Sequence, residues 1–486
     1  MIFFRKYWYF TVIILIVLFL FYPSFSNFFT HDDFFHLYIS RANSLGDILD
    51  FFNLYENKYG YGSYRPLSTQ LFYFMGTFLF NRNSFYMHLV SFSFFIGILI
   101  LIYKLARELS LSDSVSRYAV FFFATSSAHF MNLYFLGAFQ EVASTFFILL
   151  TVLFYLKTIK GKKINYFFSL GVFVLSLTCK ETAVVTPFLI IIVISFIKLF
   201  KDKKWGWDKI CKTLPVELKD ILPFFLILFL YLYFRFFHYG FAKGDSYTWD
   251  FSLRVFNSLF WYVLWSFNLP EMLVDFVGPG FNVNPNLFRY WFNEITPIFL
   301  ISVLLILYSL FLLIRNFAKV KTYLLFSLLW FLISLSPVIF LPYHKFAYYL
   351  TLPLFGFTLI MGYLLSLENK KFFISLFLFF WILSSYKTLG LTKNTHWVTR
   401  GSETAKRVDN YFKDNEKLHE KYTKIVFIDT EKDSELPWKP SKIVKESLSD
   451  NNYFNVFYPG KFKVYYGNEY LAEDFIQISA RQFIGY

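Results

Sequence analysis

Cysteine is scarce in this chain: Cys179 and Cys211 are the two present among 486 residues. Two cysteines cannot build a disulfide framework, and no zinc-ligand spacing exists. Charge is scarce as well. At 16% charged residues, the chain carries less than a soluble domain of this length would. No internal repeat is visible, and no low-complexity tract beyond richness in Phe.

What is abundant is hydrocarbon. Hydrophobic residues make up 56% and aromatic residues 24%, arranged as long apolar runs over most of the chain. The expectation is an all-α polytopic membrane protein. A formal net charge of +14 would suggest nucleic acid in a soluble protein. Here the Lys and Arg residues cluster in short loops between apolar runs, so orientation in a membrane explains them and no nucleic-acid partner is expected.

Runs of about 17 to 25 apolar residues place about eleven transmembrane helices. They are expected at 7–22, 84–103, 115–133, 142–156, 164–178, 182–199, 221–237, 295–314, 322–341, 346–367 and 372–389. The first run follows Arg5 and Lys6, as in a signal peptide. Small residues for cleavage are poor there, so it reads as an uncleaved helix. Alternate connections are basic: Arg5 and Lys6, then 104–117, 157–163, 198–219 and 315–321, then Lys370 and Lys371. Those should be cytoplasmic, with the N-terminus inside and everything after 389 outside. Cys179 and Cys211 then lie on opposite sides of the bilayer, and no disulfide between them is expected.

Two regions follow: 1–390, the transmembrane part, and 391–486, a small extracytoplasmic α/β domain. Large external loops are expected at 23–83 and 241–293. The first should hold surface helices at 45–55 and 67–80; the second, rich in Trp, Gly and Pro, reads as irregular. In the tail, helices are expected at 398–412 and 441–448 and strands at 424–429 and 462–467.

Several charged residues sit at the edges of these runs. Asp32 and Asp33 are adjacent carboxylates, suited to binding a divalent cation or to general-base work. His36 lies one helical turn beyond Asp32 and shares its face on a helix. On spacing alone, a solvated turn or a helix cap explains the pair as well. Arg65 precedes Pro66 at a helix start and suits a phosphate, or snorkels to headgroups. Lys180 and Glu181 interrupt apolar sequence at a minimal turn, a functional position or a polar hairpin tip. Glu141 is the one charge of an external turn, where a helix N-terminus also favours it. His344 and Lys345, with Tyr348 and Tyr349 one turn on, form a phosphate clamp or a set of interface anchors. Arg235 and His238 are weaker candidates of the same kind. The expected topology puts all of these on one side of the membrane.

In that order, the motifs resemble the GT-C superfamily of integral-membrane glycosyltransferases. The branch it resembles most holds the protein O-mannosyltransferases and the lipid A aminoarabinose transferase. The acidic pair in a first external loop is matched by Asp32-Asp33, and the RPL motif by Arg65-Pro66-Leu67. An acidic residue after a Gly-containing turn is matched loosely by Glu141, a Ser-Lys-Glu turn by Cys179-Lys180-Glu181, and an Arg-Tyr-rich run, with substitutions, by His344-Lys345 through Pro353. The resemblance covers about the first 390 residues.

It implies a GT-C-like helical bundle in the cytoplasmic (inner) membrane and a polyprenyl-phosphate-linked sugar as donor. The lipid phosphate would lie near Arg65, Lys180, Lys345 and His344. Glu181, Glu141, Tyr348 and Tyr349 would support the site. Asp33 would be the base, with Asp32 as its partner. A Mg or Mn ion would take Asp32, His36 and Glu141. The acceptor is a hydroxyl on a protein, lipid or glycan, and the reaction inverts the sugar. Competing expectations are a flippase for lipid-linked sugars and a non-catalytic assembly factor.

Overall fold

A computed structural model describes residues 2–55, 62–109, 111–197, 207–240, 244–416, 423–468 and 475–485. The basic connection expected at 198–219 lies outside the described residues over 198–206, as does the end of the expected span at 182–199. So do residues 56–61 and 241–243 of the two expected external loops.

Among the described residues, seven helices are long and apolar enough to cross a membrane: Trp8–Ser26, Ser84–Glu108, Leu136–Ile159, Lys219–Tyr239, Asn286–Arg315, Phe317–Leu335 and Lys371–Thr395. Their chemistry is that of lipid-facing helices. On Asn286–Arg315 the side chains of Leu300, Leu304, Leu307, Phe311 and Ile314 are all more than half exposed, and their spacing of three and four residues lines up one outer face. Such a stripe is unstable against water and ordinary against hydrocarbon. The protein is therefore membrane-embedded and multi-pass, and its membrane part is all-α.

Four expected spans take shorter forms. The run at 115–133 divides into Asp113–Ala124 and Phe130–Tyr134 around a 3-10 turn at Ser127–His129. The break falls on Thr125 and Ser126; the Thr125 hydroxyl donates back to the Phe121 carbonyl at 2.7 Å, a bond that competes with helix propagation. Ile164–Leu177 has 14 residues. The run from 182 opens with a 3-10 turn, Glu181–Val185, before the helix Thr186–Ser195. The run from 346 likewise opens with Ala347–Leu350 before Leu354–Ser366. In the last two, Pro187 and Pro353 stand where the regular helix begins, the position proline tolerates best. The run at 142–156 proves longer than expected and belongs to Phe139–Ile159.

The segment after the first span folds into Asp32–Ile39, Leu45–Asp50 and, beyond a π turn at Pro66–Leu71, Phe72–Phe80. The region expected to be irregular at 241–293 contains a helix, Arg254–Ser266, whose Trp261, Tyr262 and Trp265 are buried. A short hairpin follows, pairing Val277–Gly278 with Asn282–Val283.

Lys371–Thr395 runs past the expected boundary at 390, and Trp397–Asp414 starts directly after it. The charged tail then forms three parallel strands, with Lys424–Ile428 between Lys463–Tyr466 and Ile476–Ser479. Ile425, Val426 and Phe427 are fully buried, as expected of a parallel strand covered on both faces. The strand Ile476–Ser479 and the helix Asn452–Phe457 were not anticipated by the sequence reading.

The helix Leu354–Ser366 is wedged between neighbours at backbone distance. A Cβ on Gly362 would lie 2.8 Å from the Val115 carbonyl and 2.9 Å from the Ala119 nitrogen. Backbone cannot rotate away as a side chain can. Gly362→Ala should therefore cost about 1–3 kcal/mol through overpacking. Gly390→Ala, with nothing within 4 Å, should be close to neutral. Thermal unfolding of both variants in the same detergent checks the contrast.

Candidate active site

The site begins with two loops bolted together. The Leu67 amide donates to the Thr178 carbonyl at 3.2 Å, and the Ser68 hydroxyl donates to the Cys179 carbonyl at 2.6 Å. This brings Arg65 against Glu181. The guanidinium meets one carboxylate oxygen through two nitrogens, at 2.7 and 2.8 Å, and also donates to the Gln140 side chain. Arg235 approaches the other Glu181 oxygen at 3.5 Å. Burial pushes the Glu181 carboxyl up, but Arg65 and Arg235 outweigh it and hold it down at about 2. Glu181 therefore stays ionised and orients two arginines.

Next to it, Lys180 is 3% exposed and pairs with Glu141, also 3% exposed, at 3.2 Å. The ammonium lies 4.6 Å above the Tyr348 ring and 4.7 Å above the Tyr349 ring, close enough for cation–π attraction to offset part of the lost hydration. Burial lowers the Lys180 pKa, and Glu141 counters that. The Thr182 hydroxyl reaches Glu141 at 3.4 Å. His344 stacks near Tyr247, ring centres 4.3 Å apart. Burial, then Lys180 and Arg65, bring the His344 pKa down to about 4, so it is a neutral imidazole at neutral pH.

The two aspartates separate. Successive helix residues point about 100° apart. Asp33 turns inward and is 1% exposed. It accepts hydrogen bonds from the Thr30 amide at 2.9 Å and from the Tyr73 hydroxyl. Burial raises its pKa to about 7, against those hydrogen bonds. Asp32 remains exposed to solvent but sits in a recess walled by protein. That desolvation raises its pKa, and Arg65 lowers it. Arg65 thus feels Asp32 on one side and Glu181 on the other.

The turn before them is strained. His31 has φ 48° and ψ −125°, a region that costs a non-glycine residue about 1–3 kcal/mol. The tail holds it there. The His31 amide donates to the Ser447 carbonyl at 2.9 Å, the Phe28 amide to the Ser402 hydroxyl at 2.8 Å, and Trp397 packs edge-on to the His31 ring at 4.6 Å. Gly401 makes room: a Cβ there would lie 2.5 Å from the His31 ring.

Of the residues singled out by sequence, Arg65, Lys180, Glu181, Glu141, His344, Tyr348, Tyr349 and Asp32 form one interacting set. Arg235, a weaker candidate, belongs to it. Lys345 does not: its ammonium reaches Asn257 at 2.9 Å, in a different cavity. His238 packs against Tyr55 and Phe234 instead. The expected metal set of Asp32, His36 and Glu141 does not assemble. Among the described residues no group of three or more His, Cys, Asp or Glu side chains converges on one point. His36 is buried beside Tyr73, and Glu141 is engaged by Lys180. Gln140, Tyr73 and Tyr247 were missed. Gln140 directly precedes Glu141, a signal that was available; the two tyrosines lie in sequence with no distinguishing pattern.

No protein-family profile, no curated protein and no solved structure matches this chain. Fold and site define a class no narrower than a multi-pass membrane protein with a buried charge network at one end of its bundle.

The network and the enclosed Asp33 each make a prediction. Lys180→Met or Glu141→Gln alone strands a buried polar or charged partner and should cost about 3–5 kcal/mol; the double variant should cost far less than the sum. Thermal unfolding of the four proteins in matched micelles tests this. For Asp33, the unfolded chain titrates near the model-peptide value while the folded chain keeps its proton up to about pH 7. Stability from this group is complete below the unfolded pKa and declines as pH rises towards 7. Asp33→Asn should flatten that decline, read as the difference between wild-type and variant unfolding curves from pH 4 to 8.

Proposed function

We propose that this protein is a membrane glycosyltransferase that moves a sugar from a polyprenyl-phosphate-linked donor to a hydroxyl acceptor, with inversion at the anomeric carbon. The observation that carries the reading is Asp32: an accessible carboxylate in a desolvated recess, facing an arginine that an ion-pair network holds in place. A raised carboxylate pKa suits a general base, and a fixed guanidinium suits a leaving phosphate.

In this mechanism Asp32 takes the proton from the acceptor hydroxyl. The acceptor oxygen bonds to the anomeric carbon, and the bond from that carbon to the phosphate oxygen breaks. The electron pair leaves with the lipid phosphate, beside Arg65, with His344 as a neutral hydrogen-bonding group; the enclosed Lys180 contributes its charge from behind, through its pair with Glu141. Asp32 rather than Asp33 is the base because Asp33 is enclosed and already hydrogen-bonded; Asp33 positions the turn. With Asp32 ionised, Arg65, Lys180 and Arg235 face three carboxylates, Asp32, Glu141 and Glu181; once Asp32 has taken the acceptor's proton, the cluster has one positive charge in excess for the leaving phosphate.

The wider reading is a GT-C-like bundle of eleven helices in the inner membrane, the shorter helices completing the count. The N-terminus would be cytoplasmic, with the site and the charged tail, as a small α/β domain, outside. The alternation of basic connections supports that orientation.

Asp32→Asn should lower turnover by about 10²–10⁴-fold while leaving polyprenyl-monophosphate binding intact, and Arg65→Gln should weaken that binding. Surface-glycan mass profiles of cells carrying each variant, with lipid-phosphate binding to the purified protein, provide the readout. Undiminished transfer by Asp32→Asn would sink the assignment, and a flippase or an assembly factor would then be favoured.

A further inference from the structure

A cavity lies beside the charge network, and none of the network's residues lines it. It measures about 1200 Å³, at or above the upper end for small-molecule sites. Its walls come from the helix Arg254–Ser266, the segment through the 277–283 hairpin, the turn before Ala347 and the junction of the last apolar helix with the tail. Tyr343, Phe346 and Trp397 supply aromatic surface, and the buried Trp261 lies behind it. Asn257, Glu271, Asp275 and Thr395 supply hydrogen-bonding groups.

We propose that this cavity is the acceptor site, and that it takes a carbohydrate chain. The proposal rests on the transferase reading for the word acceptor, and on the cavity itself for the word carbohydrate. Sugars present apolar C–H faces and rings of hydroxyls, and a site for them needs flat aromatic rings interleaved with fixed polar acceptors. Glu271 is fixed in that way. One carboxylate oxygen accepts from the Ala347 amide at 2.8 Å, and the other lies 3.9 Å from the His396 ring nitrogen. Asp275, one helical turn on, is exposed and its carboxylate accepts no hydrogen bond among the described residues. The side-chain oxygen of Asn257 is engaged by Lys345 at 2.9 Å, which leaves its amide hydrogens for a ligand.

Other acceptor classes fit less well. Charged groups of both signs wall the cavity, with Arg254 and Lys345 opposite in charge to Glu271 and Asp275, and a lipid tail would desolvate them without replacement. An extended peptide would seek a strand edge, whereas the hairpin strands at the rim are two residues each.

The cavity also adjoins the chemistry. Trp397 lines it and packs against His31, the residue before Asp32. Lys345 lines it and follows His344, which interacts electrostatically with Lys180 and Arg65. A glycan held here has its end beside the proposed base.

The test uses the full-length protein in detergent. The probes are oligosaccharides released by mild acid from the surface glycan of the source cells, a serine-containing decapeptide and a short-chain phospholipid. Because Trp397 lines the cavity and Trp261 lies behind its aromatic surface, tryptophan fluorescence reports binding, with saturation-transfer NMR as a second readout. The oligosaccharides should bind saturably. Asp275→Asn and Tyr343→Ala, both at exposed positions, should weaken them about tenfold, a loss equivalent to about 1.4 kcal/mol, with polyprenyl-monophosphate binding unchanged. Absent glycan binding, variants with unaltered affinity, or peptide or phospholipid binding that these substitutions abolish would each overturn the proposal. Glycan binding without lipid-phosphate binding would uphold the carbohydrate site and overturn the transferase reading instead.

Discussion

Burying charge is what this structure has to solve. Lys180 and Glu141 are almost fully enclosed, and a lone ion in such a place costs several kcal/mol even after relaxation. Each therefore needs a partner, and the partners come from separate turns. Lys180 needs Glu141; Glu181 needs Arg65 and Arg235. Meeting those needs forces four segments far apart in the chain to one end of the bundle. The hydrogen bonds of Leu67 and Ser68 to the 178–179 carbonyls then hold the arrangement in register.

The acidic pair shows how adjacency in sequence becomes division of labour. One carboxylate faces the protein and loses water, and its neighbour faces a recess and keeps some. The strained residue before them is held from outside by the tail, whose Ser447 carbonyl, Trp397 ring and Gly401 cleft all meet His31. The tail is thus part of the scaffold of the candidate site, and strain at His31 is offset by contacts more than 300 residues away in the chain.

Two environments meet at this end of the bundle. The charge network is compact and internally compensated. The neighbouring cavity is wide, aromatic and hydrogen-bonding. The 344–346 turn and Trp397 touch both: Lys345, Phe346 and Trp397 line the cavity, and Trp397 packs against His31. Under the proposed function, the two environments would serve substrates of unlike chemistry, one anionic and lipid-linked, the other polyhydroxylated. The outer faces of the long helices, with their exposed Leu and Phe stripes, are suited to hydrocarbon.

Local pattern determined much of this protein. Apolar runs bounded by charge set the long helices such as 84–108, 286–315 and 371–395, because hydrocarbon length and backbone hydrogen bonding leave a greasy run few alternatives. Isolated charges at the run edges marked Asp32, Arg65, Glu141, Lys180 and Glu181, since a charge there is costly unless it is used. What local pattern could not reach was pairing at long range. Arg65 and Glu181 are 116 residues apart, and nothing near either announces the other. Only the packed chain decided that Arg235 joins the network while Lys345 leaves it, that Asp33 is buried and Asp32 is not, that Tyr73 and Gln140 take part, and that a cavity opens at 254–283. Those outcomes depend on which surfaces touch, and contact is a property of the assembled chain rather than of any window along it.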